Sequence, residues 1–496
     1  MSEKRWKRRD ILKAGGFAAA SAAAAASVRP LSGFPRAGAP GSAPPCASAS
    51  SCFPGAPDPA AAFAQAPSPA SFVKPDRPVT AVVLGAGNRG NVYASYSRRF
   101  PDELRIVGVA EPIRHRREAF SRMYGIPAGR QWVTWEHALE VPKFADALIV
   151  TTPDHLHYRP AMVGMAIRYD LLLEKVIARR WSECRDILER AVAEERIVAV
   201  CHVLRYSPYF RKLKEVADSG ALGRLVSVQH LEPVEHVHMS HAFVRGNWRN
   251  AGESNPMILS KSCHDLDILR WIIGRPCRSV SSFGSLTYFR PENAPAGAPK
   301  RCTDGCPVEA ACPFSALKVY MRDRGWLPAL RLPAEDDATV LEALRRGPYG
   351  RCVFHCDNDV VDHQVTNLEF EGGTTAAFSM EGLTSYAGRR TRLMGTRGDA
   401  VGDEAMLTVT EFGTGKTSVW DAAKAAGRQD GHGGGDSGLV RDFIQAVSRS
   451  DTSLLTSTIQ ASMESHLMGF RAEESRLKGR TLDVRLPRTA AGNGLP

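Results

Sequence analysis

Residues 79–90 read Val-Thr-Ala-Val-Val-Leu-Gly-Ala-Gly-Asn-Arg-Gly, an apolar run followed at once by three glycines. The apolar run predicts a buried β-strand, and the G-x-G-x-x-G spacing is typical of the turn that joins strand to helix in a dinucleotide-binding unit. In such a unit the glycines permit a tight turn, close approach of the backbone to a pyrophosphate at the helix N-terminus, and close helix packing. The residues expected to contact a cofactor here are Gly85, Gly87, Asn88, Arg89 and Gly90.

A second buried strand is predicted at 104–111, where the sequence Leu-Arg-Ile-Val-Gly-Val-Ala-Glu ends in an acid. Glu111 lies 21 residues after Gly90, where a dinucleotide-binding unit places the carboxylate that accepts from a ribose hydroxyl. Arg114, Arg116 and Arg117 follow closely and could instead hold a 2′-phosphate. NAD and NADP are therefore both open as cofactors, and the acid favours NAD.

Strands and helices continue to alternate up to residue 201, with further apolar strand patterns at 145–153, 170–173 and 197–201. This alternation predicts an α/β fold with a doubly wound parallel sheet, whose ligands lie at the carboxyl ends of the strands. Polar residues and one proline directly follow several of these strands at that edge, and we expect them to line one crevice. They are Glu111, Thr152, Pro153, Glu174, Lys175 and His202.

The chain has 496 residues and a formal net charge of +11, of which six charges lie in residues 1–36. The remaining net positive charge is spread over the rest of the sequence, which has no dense run of basic residues and no aromatic residues interleaved with them. Nucleic-acid binding is therefore not indicated. The length suffices for two or three domains.

The first residues carry an export signature. Lys7-Arg8-Arg9-Asp10-Ile11-Leu12-Lys13 precedes an uncharged Ala/Gly-rich stretch up to residue 28, which resembles a twin-arginine signal peptide. We therefore expect the protein to use the twin-arginine translocation machinery and to be periplasmic or otherwise exported. Residues 29–77 are rich in Pro, Ala and Ser and predict a disordered linker.

Beyond the glycine turn, a series of short motifs resembles the glucose–fructose oxidoreductase/inositol dehydrogenase/MocA (Gfo/Idh/MocA) family of NAD(P)-dependent oxidoreductases over roughly residues 78–485. The motifs are Thr152-Pro153 with His155 and His157, Glu174-Lys175, Arg205-Tyr206-x-Pro208, and His264-x-x-Asp267 followed by Trp271 and Gly274.

The resemblance implies a Rossmann domain at 78–201 and a second domain at 202–486 with an open, mainly antiparallel sheet, followed by a tail at 487–496. It also implies a carbohydrate-like substrate and a homo-oligomer formed through the second sheet. It adds a set of cofactor-binding residues to those of the glycine turn: Thr152, Pro153, His155, His157, Glu174, Lys175 and Arg205.

The resemblance also assigns the catalytic residues. Lys175, in the family's Glu-Lys-Pro motif, would contact the substrate hydroxyl and the nicotinamide ribose, and His264 would be the general base. The chain departs from the family pattern at Val176, which replaces the proline of a frequently cis peptide, and at Ser260, which replaces an Asp. The expected substrate-binding residues are Lys175, Tyr206, Trp248, Arg249, Lys261 and His264.

Two further features have open interpretations. The adjacent pair Cys263-His264 suggests thiol chemistry, although neighbouring residues on a helix do not face each other. The glycine-rich loop with His432 and Asp436 could reach the active site, or serve only as the turn before a helix.

A cysteine-rich insertion occupies about 289–363. In an exported protein the default interpretation is disulfides, and zinc binding is the equal alternative. An iron–sulfur cluster is a third interpretation, because the twin-arginine route exports folded proteins that already contain their cofactors. The residues concerned are Cys302, Cys306, Cys312, Cys352 and Cys356.

The function favoured by the sequence is an exported NAD(P)-dependent oxidoreductase acting on a hydroxyl of a sugar, sugar derivative or glycoside. The alternatives are an NAD-dependent glycosidase that oxidises its sugar transiently and a non-catalytic nucleotide- or sugar-binding relative.

Overall fold

The structure is a computed structural model that describes residues 72–426 and 431–485. The predicted signal peptide at 1–28, nearly all of the predicted linker and the tail at 487–496 lie outside the described residues.

The first domain contains a six-stranded parallel sheet in the order β3-β2-β1-β4-β5-β6. Strands β1, β4, β5 and β6 are almost entirely buried because helices cover both faces, which explains their mostly apolar sequences. The predicted doubly wound parallel sheet is confirmed. The strands are β1 Val79–Leu84, β2 Leu104–Ala110, β3 Gln131–Trp132, β4 Ala147–Val150, β5 Asp170–Leu173 and β6 Val198–Val200.

The helices of this domain connect successive strands. They are α1 Asn88–Ala94, α2 Arg114–Tyr124, α3 Tyr158–Ala166 and α4 Trp181–Ala193, with short helices at Tyr96–Arg99 and Trp135–Leu139. Helix α2 ends at Gly125, whose φ of 64° continues the chain in the left-handed conformation that glycine adopts without cost.

The second domain contains a nine-stranded sheet in the order β14-β13-β12-β11-β7-β10-β9-β8-β15. All neighbouring strands pair antiparallel except β7 and β10, which are parallel, so the expected mainly antiparallel sheet is confirmed. The strands are β7 Leu225–Pro233, β8 Cys277–Ser285, β9 His363–Phe370, β10 Thr375–Glu381, β11 Arg390–Gly395, β12 Gly398–Gly402, β13 Met406–Glu411, β14 Thr417–Asp421 and β15 Leu482–Asp483.

One face of this sheet is covered and the other is open. Alternate residues of β7, β9 and β10 are buried, so each strand packs one side against the domain core. The helices of the domain include α5 Pro208–Asp218, α6 Cys263–Ile273 and a short helix at Met257–Ser260, together with π-helical turns at Met239–Arg245 and Lys318–Arg322. Minor helices lie at His236–His238 and Ala422–Ala426.

The insertion between β8 and β9 forms its own small core, centred on Tyr320, Val340 and Leu344. Its main helix is α7 Asp337–Arg346, which begins after Asp336, whose side chain accepts a hydrogen bond from the Thr339 amide. A short helix at Leu327–Leu330 forms a tip that projects towards the first domain.

Two C-terminal helices join the domains. Helix α8, Gly435–Arg449, packs Leu439 and Phe443 into the core of the first domain. Helix α9, Ile459–Lys478, buries Met463 in the first domain and Met468 in the second. The carboxyl edge of the first sheet is thereby held against the second domain.

The helices of the described ranges include none with the length and apolar character that crossing a membrane requires.

Candidate active site

The glycine turn has the geometry that the sequence predicts. Gly85 has a φ of +98°, and a Cβ there would lie 2.6 Å from the Thr151 carbonyl oxygen. A Cβ on Gly90 would lie 2.1 Å from the Gly85 carbonyl oxygen, so this glycine permits the close approach of α1 to the turn. A Cβ on Gly87, by contrast, would meet nothing within 4 Å. The space above Gly87 is the cradle that a pyrophosphate needs, and the turn therefore fits a dinucleotide.

Glu111 lies at the end of β2, directly below this turn, and is buried. Its carboxylate accepts hydrogen bonds from the Ala86 amide at 2.8 Å and the Ile113 amide at 3.0 Å. These bonds orient the carboxylate at the mouth of the turn, where it can also accept from a ribose hydroxyl.

The three arginines after Glu111 are engaged within the protein. Arg114 pairs with Glu118, Arg117 donates to the Glu111 carbonyl, and Arg116 donates to the Leu330 carbonyl of the insertion tip. All three guanidinium groups thus have protein partners in the described part of the chain.

The insertion tip reaches the glycine turn itself. The side-chain Nδ2 of Asn88 donates to the Ala329 carbonyl at 3.3 Å, and Arg331 Nε donates to the side-chain oxygen of Asn88 at 2.7 Å. A segment more than 240 residues away in sequence thus lies across one side of the expected cofactor site.

A buried ion-pair network lies beneath the turn. Arg89 Nε donates to Glu174 at 2.6 Å, and Arg89 Nη2 donates to Asp436 at 2.5 Å. The Tyr93 hydroxyl also donates to Glu174, at 2.8 Å. Burial would raise the pKa of Asp436, but hydrogen bonds from His432 and Arg89 outweigh it and hold that pKa well below its usual range. The side chain of Arg89 therefore joins the cofactor turn to the first turn of α8.

Lys175 follows β5 at the centre of the crevice. Its ammonium group donates to the Ser260 carbonyl at 2.5 Å and lies 5.6 Å from the centre of the Trp248 ring. The Lys175–Val176 peptide is cis, although Val176 replaces the family's proline. The indole of Trp248 is fixed by a hydrogen bond to Asp154 at 3.1 Å.

His264 lies near the start of α6 and is largely buried. Its Nδ1 has no hydrogen-bond partner among the described residues, and its ring is 5.9 Å from the ring of His432. Burial, followed by the charges of Lys175 and His432, lowers the pKa of His264 well below its ordinary value. The imidazole is therefore neutral near neutral pH, the state that a general base requires.

A second buried histidine, His202, lies behind His264, with 6.0 Å between the ring centres. Both of its ring nitrogens lack hydrogen-bond partners among the described residues, although Asp267 lies 3.7 Å from Nε2. Burial lowers the pKa of His202 to about 4. Arg205 binds the Asp267 carboxylate through two hydrogen bonds of 2.6 and 2.7 Å.

Lys261 and its neighbours form another charged group, in the second domain. The Lys261 ammonium lies 2.8 Å from Glu232, which also pairs with Arg389. Arg389 in turn donates to Asp265 at 2.5 Å. Lys261 therefore lies in a network of opposite charges on the second-domain side.

The other predicted site residues occupy different environments. His157 is buried between the carbonyls of Thr152 and Val176, and His155 is exposed. Pro153 is exposed and Thr152 is half-buried.

Three predicted contacts have their polar atoms occupied by protein partners. Arg205 is bound to Asp267, the Tyr206 hydroxyl contacts Ser457 at 2.9 Å, and Arg249 pairs with Asp357 and Glu253. Arg205, predicted to bind the cofactor, is instead the buried ion-pair partner of Asp267. Substrate binding by Tyr206 and Arg249 stays a prediction.

The thiol interpretation of Cys263 finds no support. The side chain is fully buried, and burial raises the pKa of its thiol to about 12, so the nucleophilic thiolate does not form near neutral pH.

The two main interpretations of the cysteine insertion are also unsupported. All nine described cysteines are free thiols. Within the described ranges, no group of three or more His, Cys, Asp or Glu side chains is arranged to hold a metal ion, which leaves zinc unsupported.

The sequence did not predict the ion pairs and hydrogen bonds that connect distant segments around the candidate site. Arg89 was predicted only through its place in the turn, and its pairing with Glu174 and Asp436 depends on contacts between distant segments. The contact of the insertion tip with Asn88 had no sequence signal, whereas the glycine-rich loop did indicate that His432 could reach the site.

Comparison with known proteins agrees with this geometry. Residues 79–202 match a family model described as the oxidoreductase family with an NAD-binding Rossmann fold, and residues 210–401 match the GFO/IDH/MocA C-terminal domain. The chain belongs to the Gfo/Idh/MocA oxidoreductase family. The predicted resemblance is thereby confirmed, and the protein is an oxidoreductase of the class that acts on CH–OH groups.

Individual family members are distant. YteT of Bacillus subtilis is 25% identical over 313 residues, covering 60% of this chain and 72% of YteT. Inositol 2-dehydrogenase of Streptomyces avermitilis is 27% identical over 205 residues, covering 40% of this chain and only 54% of that protein. The structure of levoglucosan dehydrogenase in complex with NADH and levoglucosan is 15% identical to this chain, with a TM-score of 0.62. The match covers 83% of this chain and 100% of that one. At this identity the structural likeness shows the fold alone.

Proposed function

We propose that this Gfo/Idh/MocA protein is an NAD-dependent dehydrogenase that oxidises a secondary hydroxyl of a polyol, sugar or glycoside. The observation that supports the proposal is that Lys175 lies close enough to the buried ring of His264 for its charge to lower the pKa of that histidine, while the space over Gly87 is open. The relatives that act on inositol and bind levoglucosan support this substrate class.

The residues divide the chemistry between them. The dinucleotide, when bound, supplies the hydride acceptor, while Glu111 and the backbone at Gly87 would hold its ribose and pyrophosphate. Lys175 orients the substrate hydroxyl by hydrogen bonding, and the ring of His264 accepts the hydroxyl proton as the carbon loses hydride. The Trp248 indole, adjacent to Lys175, offers an apolar face to a sugar ring.

Ser260 changes how the base is supported. Its hydroxyl donates to the Asn255 carbonyl at 3.1 Å, and its own carbonyl accepts from Lys175. A serine cannot supply the negative charge that the family's Asp would place beside the imidazole. The proton accepted by His264 is therefore less stabilised, and the positive charge of Lys175 opposes it further.

The insertion tip favours a retained cofactor. Because Ala329 and Arg331 hydrogen-bond to Asn88 across the turn, release of a dinucleotide requires these contacts to open. This observation supports, as a second candidate, a glycosidase that oxidises and then re-reduces its sugar with the same bound NAD.

One experiment tests the proposal and separates the two candidates. The purified protein is denatured and any released nucleotide is identified by mass spectrometry. The native protein is then incubated with inositols, aldoses and glycosides while NADH formation and glycoside cleavage are both followed. Net NADH formation supports the dehydrogenase, and cleavage without net NADH supports the glycosidase. A protein that shows neither, and does not bind NAD⁺ or NADH, contradicts both.

We also propose that the protein is exported through the twin-arginine pathway, on the evidence of Arg8 and Arg9 before an uncharged stretch. Residues 1–77 fused to a folded reporter should direct it out of the cytoplasm. The Arg8→Lys/Arg9→Lys double variant should retain the reporter inside the cell, and unchanged export would contradict the assignment.

We further propose that the open face of the second sheet forms a homo-oligomer. Phe283 on β8 and Val365 on β9 are register partners and are 59% and 43% exposed on this face. Exposed apolar neighbours of this kind favour association. Light scattering should show an oligomer that the Phe283→Lys variant weakens, and a monomeric parent protein would contradict the proposal.

A further inference from the structure

The tip of the insertion is held on the first domain by the carbonyl groups at the end of its short helix. This helix, Leu327–Leu330, ends at Arg331, whose φ of 51° is in the left-handed region. The last carbonyl groups of a helix have no partners inside it. Here the carbonyl groups of residues 329, 330 and 331 each contact a side chain of the first domain.

One of these side chains belongs to the glycine turn. Asn88, the residue after Gly87, donates from its side-chain Nδ2 to the Ala329 carbonyl and accepts from Arg331 Nε at 2.7 Å. The backbone of such a turn is the part of a Rossmann domain that approaches the pyrophosphate of a dinucleotide. The guanidinium of Arg331 is thus hydrogen-bonded to a residue that borders the open space over Gly87.

The other side chains belong to the first turn of α2. His115 Nε2 lies 2.9 Å from the Arg331 carbonyl oxygen, and Arg116 Nη2 donates to the Leu330 carbonyl at 3.1 Å. Helix α2 begins three residues after Glu111, the carboxylate expected to accept from a ribose hydroxyl. The tip therefore bridges the two segments of the first domain that are expected to hold the dinucleotide.

Arg331 brings a positive charge to this position without a counter-charge. It is half-buried, and none of the described carboxylates forms an ion pair with it. A guanidinium has five N–H groups, and only the Nε–H of Arg331 has an acceptor among the described residues. Burial, followed by the positive charge of Arg116, lowers the pKa of Arg331. An anion at this position would relieve both effects.

A nicotinamide dinucleotide offers two kinds of phosphate to such a group. A 2′-phosphate is present only in NADP and would lie on the ribose beside the carboxylate of Glu111, which repels it. The pyrophosphate is present in both NAD and NADP and lies over the glycine turn, to which Arg331 is bonded through Asn88. The pyrophosphate is therefore the better partner for Arg331.

On the basis of the proposed binding of NAD at the glycine turn, we infer that Arg331 of the insertion binds the pyrophosphate of the dinucleotide. With Nε bonded to Asn88, the other N–H groups of the planar guanidinium remain available for phosphate oxygens, which such groups bind well. The insertion thereby completes a cofactor site that the glycine turn alone leaves open on one side. A bound nucleotide would also hold the tip in place, and its release would require the tip to lift.

The test is NADH binding by the full-length protein after removal of any bound nucleotide, measured by nucleotide fluorescence at several salt concentrations. Arg331→Gln removes the charge but keeps a side-chain amide that can donate to Asn88. This variant should raise the Kd for NADH about 10- to 100-fold, release NADH faster, and show a weaker dependence of Kd on salt. Arg331→Lys, which keeps the charge, should retain the salt dependence of the parent protein. Binding of NADH by Arg331→Gln with the parent affinity would overturn the assignment.

Arg324→Gln is the matched control within the insertion. Arg324 also has a left-handed backbone, with a φ of 56°, but its guanidinium pairs with Asp337 of α7. Its Kd for NADH should equal that of the parent protein, and an equal loss in the Arg324→Gln and Arg331→Gln variants would overturn the assignment. A loss confined to NADPH would place Arg331 at a 2′-phosphate and overturn it as well. A parent protein that binds no NADH would refute the proposed function itself, so the two failures are distinguishable.

Discussion

The two glycines that border the cofactor turn should respond to the same substitution in opposite ways. Gly87 has a φ of −74°, which alanine adopts readily, and an added Cβ would meet no protein atom within 4 Å. We therefore expect Gly87→Ala to change the free energy of unfolding by no more than about 1 kcal/mol, since it reduces only the freedom of the unfolded chain. The added methyl would, however, occupy the space assigned to the pyrophosphate.

Gly90→Ala is the matched control. Its Cβ would lie 2.1 Å from the Gly85 carbonyl oxygen, a backbone atom that cannot move aside without shifting α1. We expect this variant to lose about 3 kcal/mol or more of unfolding free energy, at the upper end of the cost of overpacking.

Urea denaturation and NADH binding, followed by nucleotide fluorescence, measure the two effects separately. Gly87→Ala should unfold like the parent protein but bind NADH about 10- to 100-fold more weakly, a loss of about 1.4 to 2.8 kcal/mol. If Gly87→Ala binds NADH with the parent affinity, the pyrophosphate does not pass over Gly87 and the assignment of the cradle is refuted.

Three further predictions follow from the histidines and the buried thiol. His264→Gln should lower kcat by about 10²- to 10⁴-fold while leaving the Kd for NADH unchanged, and a parent-like kcat would exclude His264 as the base. Cys263→Ser should retain kcat within about twofold, since the thiol is buried and protonated; loss of activity with intact NADH binding would revive the thiol hypothesis. The pKa of His202 is about 4 in the folded protein against an ordinary value of 6.5, so the unfolded state binds more protons between these values. The free energy of unfolding should therefore fall as the pH drops below 6.5, by up to about 1.4 kcal/mol per pH unit, and His202→Leu should reduce that slope in urea titrations at several pH values.

The local parts of the fold were predictable because each depends on a short stretch of sequence. The β-branched run before Gly85 forms β1, and Glu111 directly follows β2, as the spacing indicated. The individual strands from Arg390 to Asp421 were not delimited from the sequence, because they are short, partly exposed and belong to a sheet whose strand order is not sequential.

The principal residues of the candidate site were predictable from the sequence, but the ion pairs that hold them in place were not. Lys175 and His264 follow from motifs, whereas the pairing of Arg89 with both Glu174 and Asp436 joins segments that only the tertiary structure brings together. The insertion showed the same limit. Cysteine spacing alone could not separate disulfides, zinc and a cluster, because the same spacing is compatible with each of them.

The most direct test of the central claim is a crystal structure of the protein with NAD⁺. In that structure we expect electron density for the pyrophosphate over Gly87 and for the ribose against Glu111. The nicotinamide should face Lys175 and His264 across a space that a sugar hydroxyl can fill. A nicotinamide directed away from these two side chains, or a nucleotide bound elsewhere on the protein, would contradict the account.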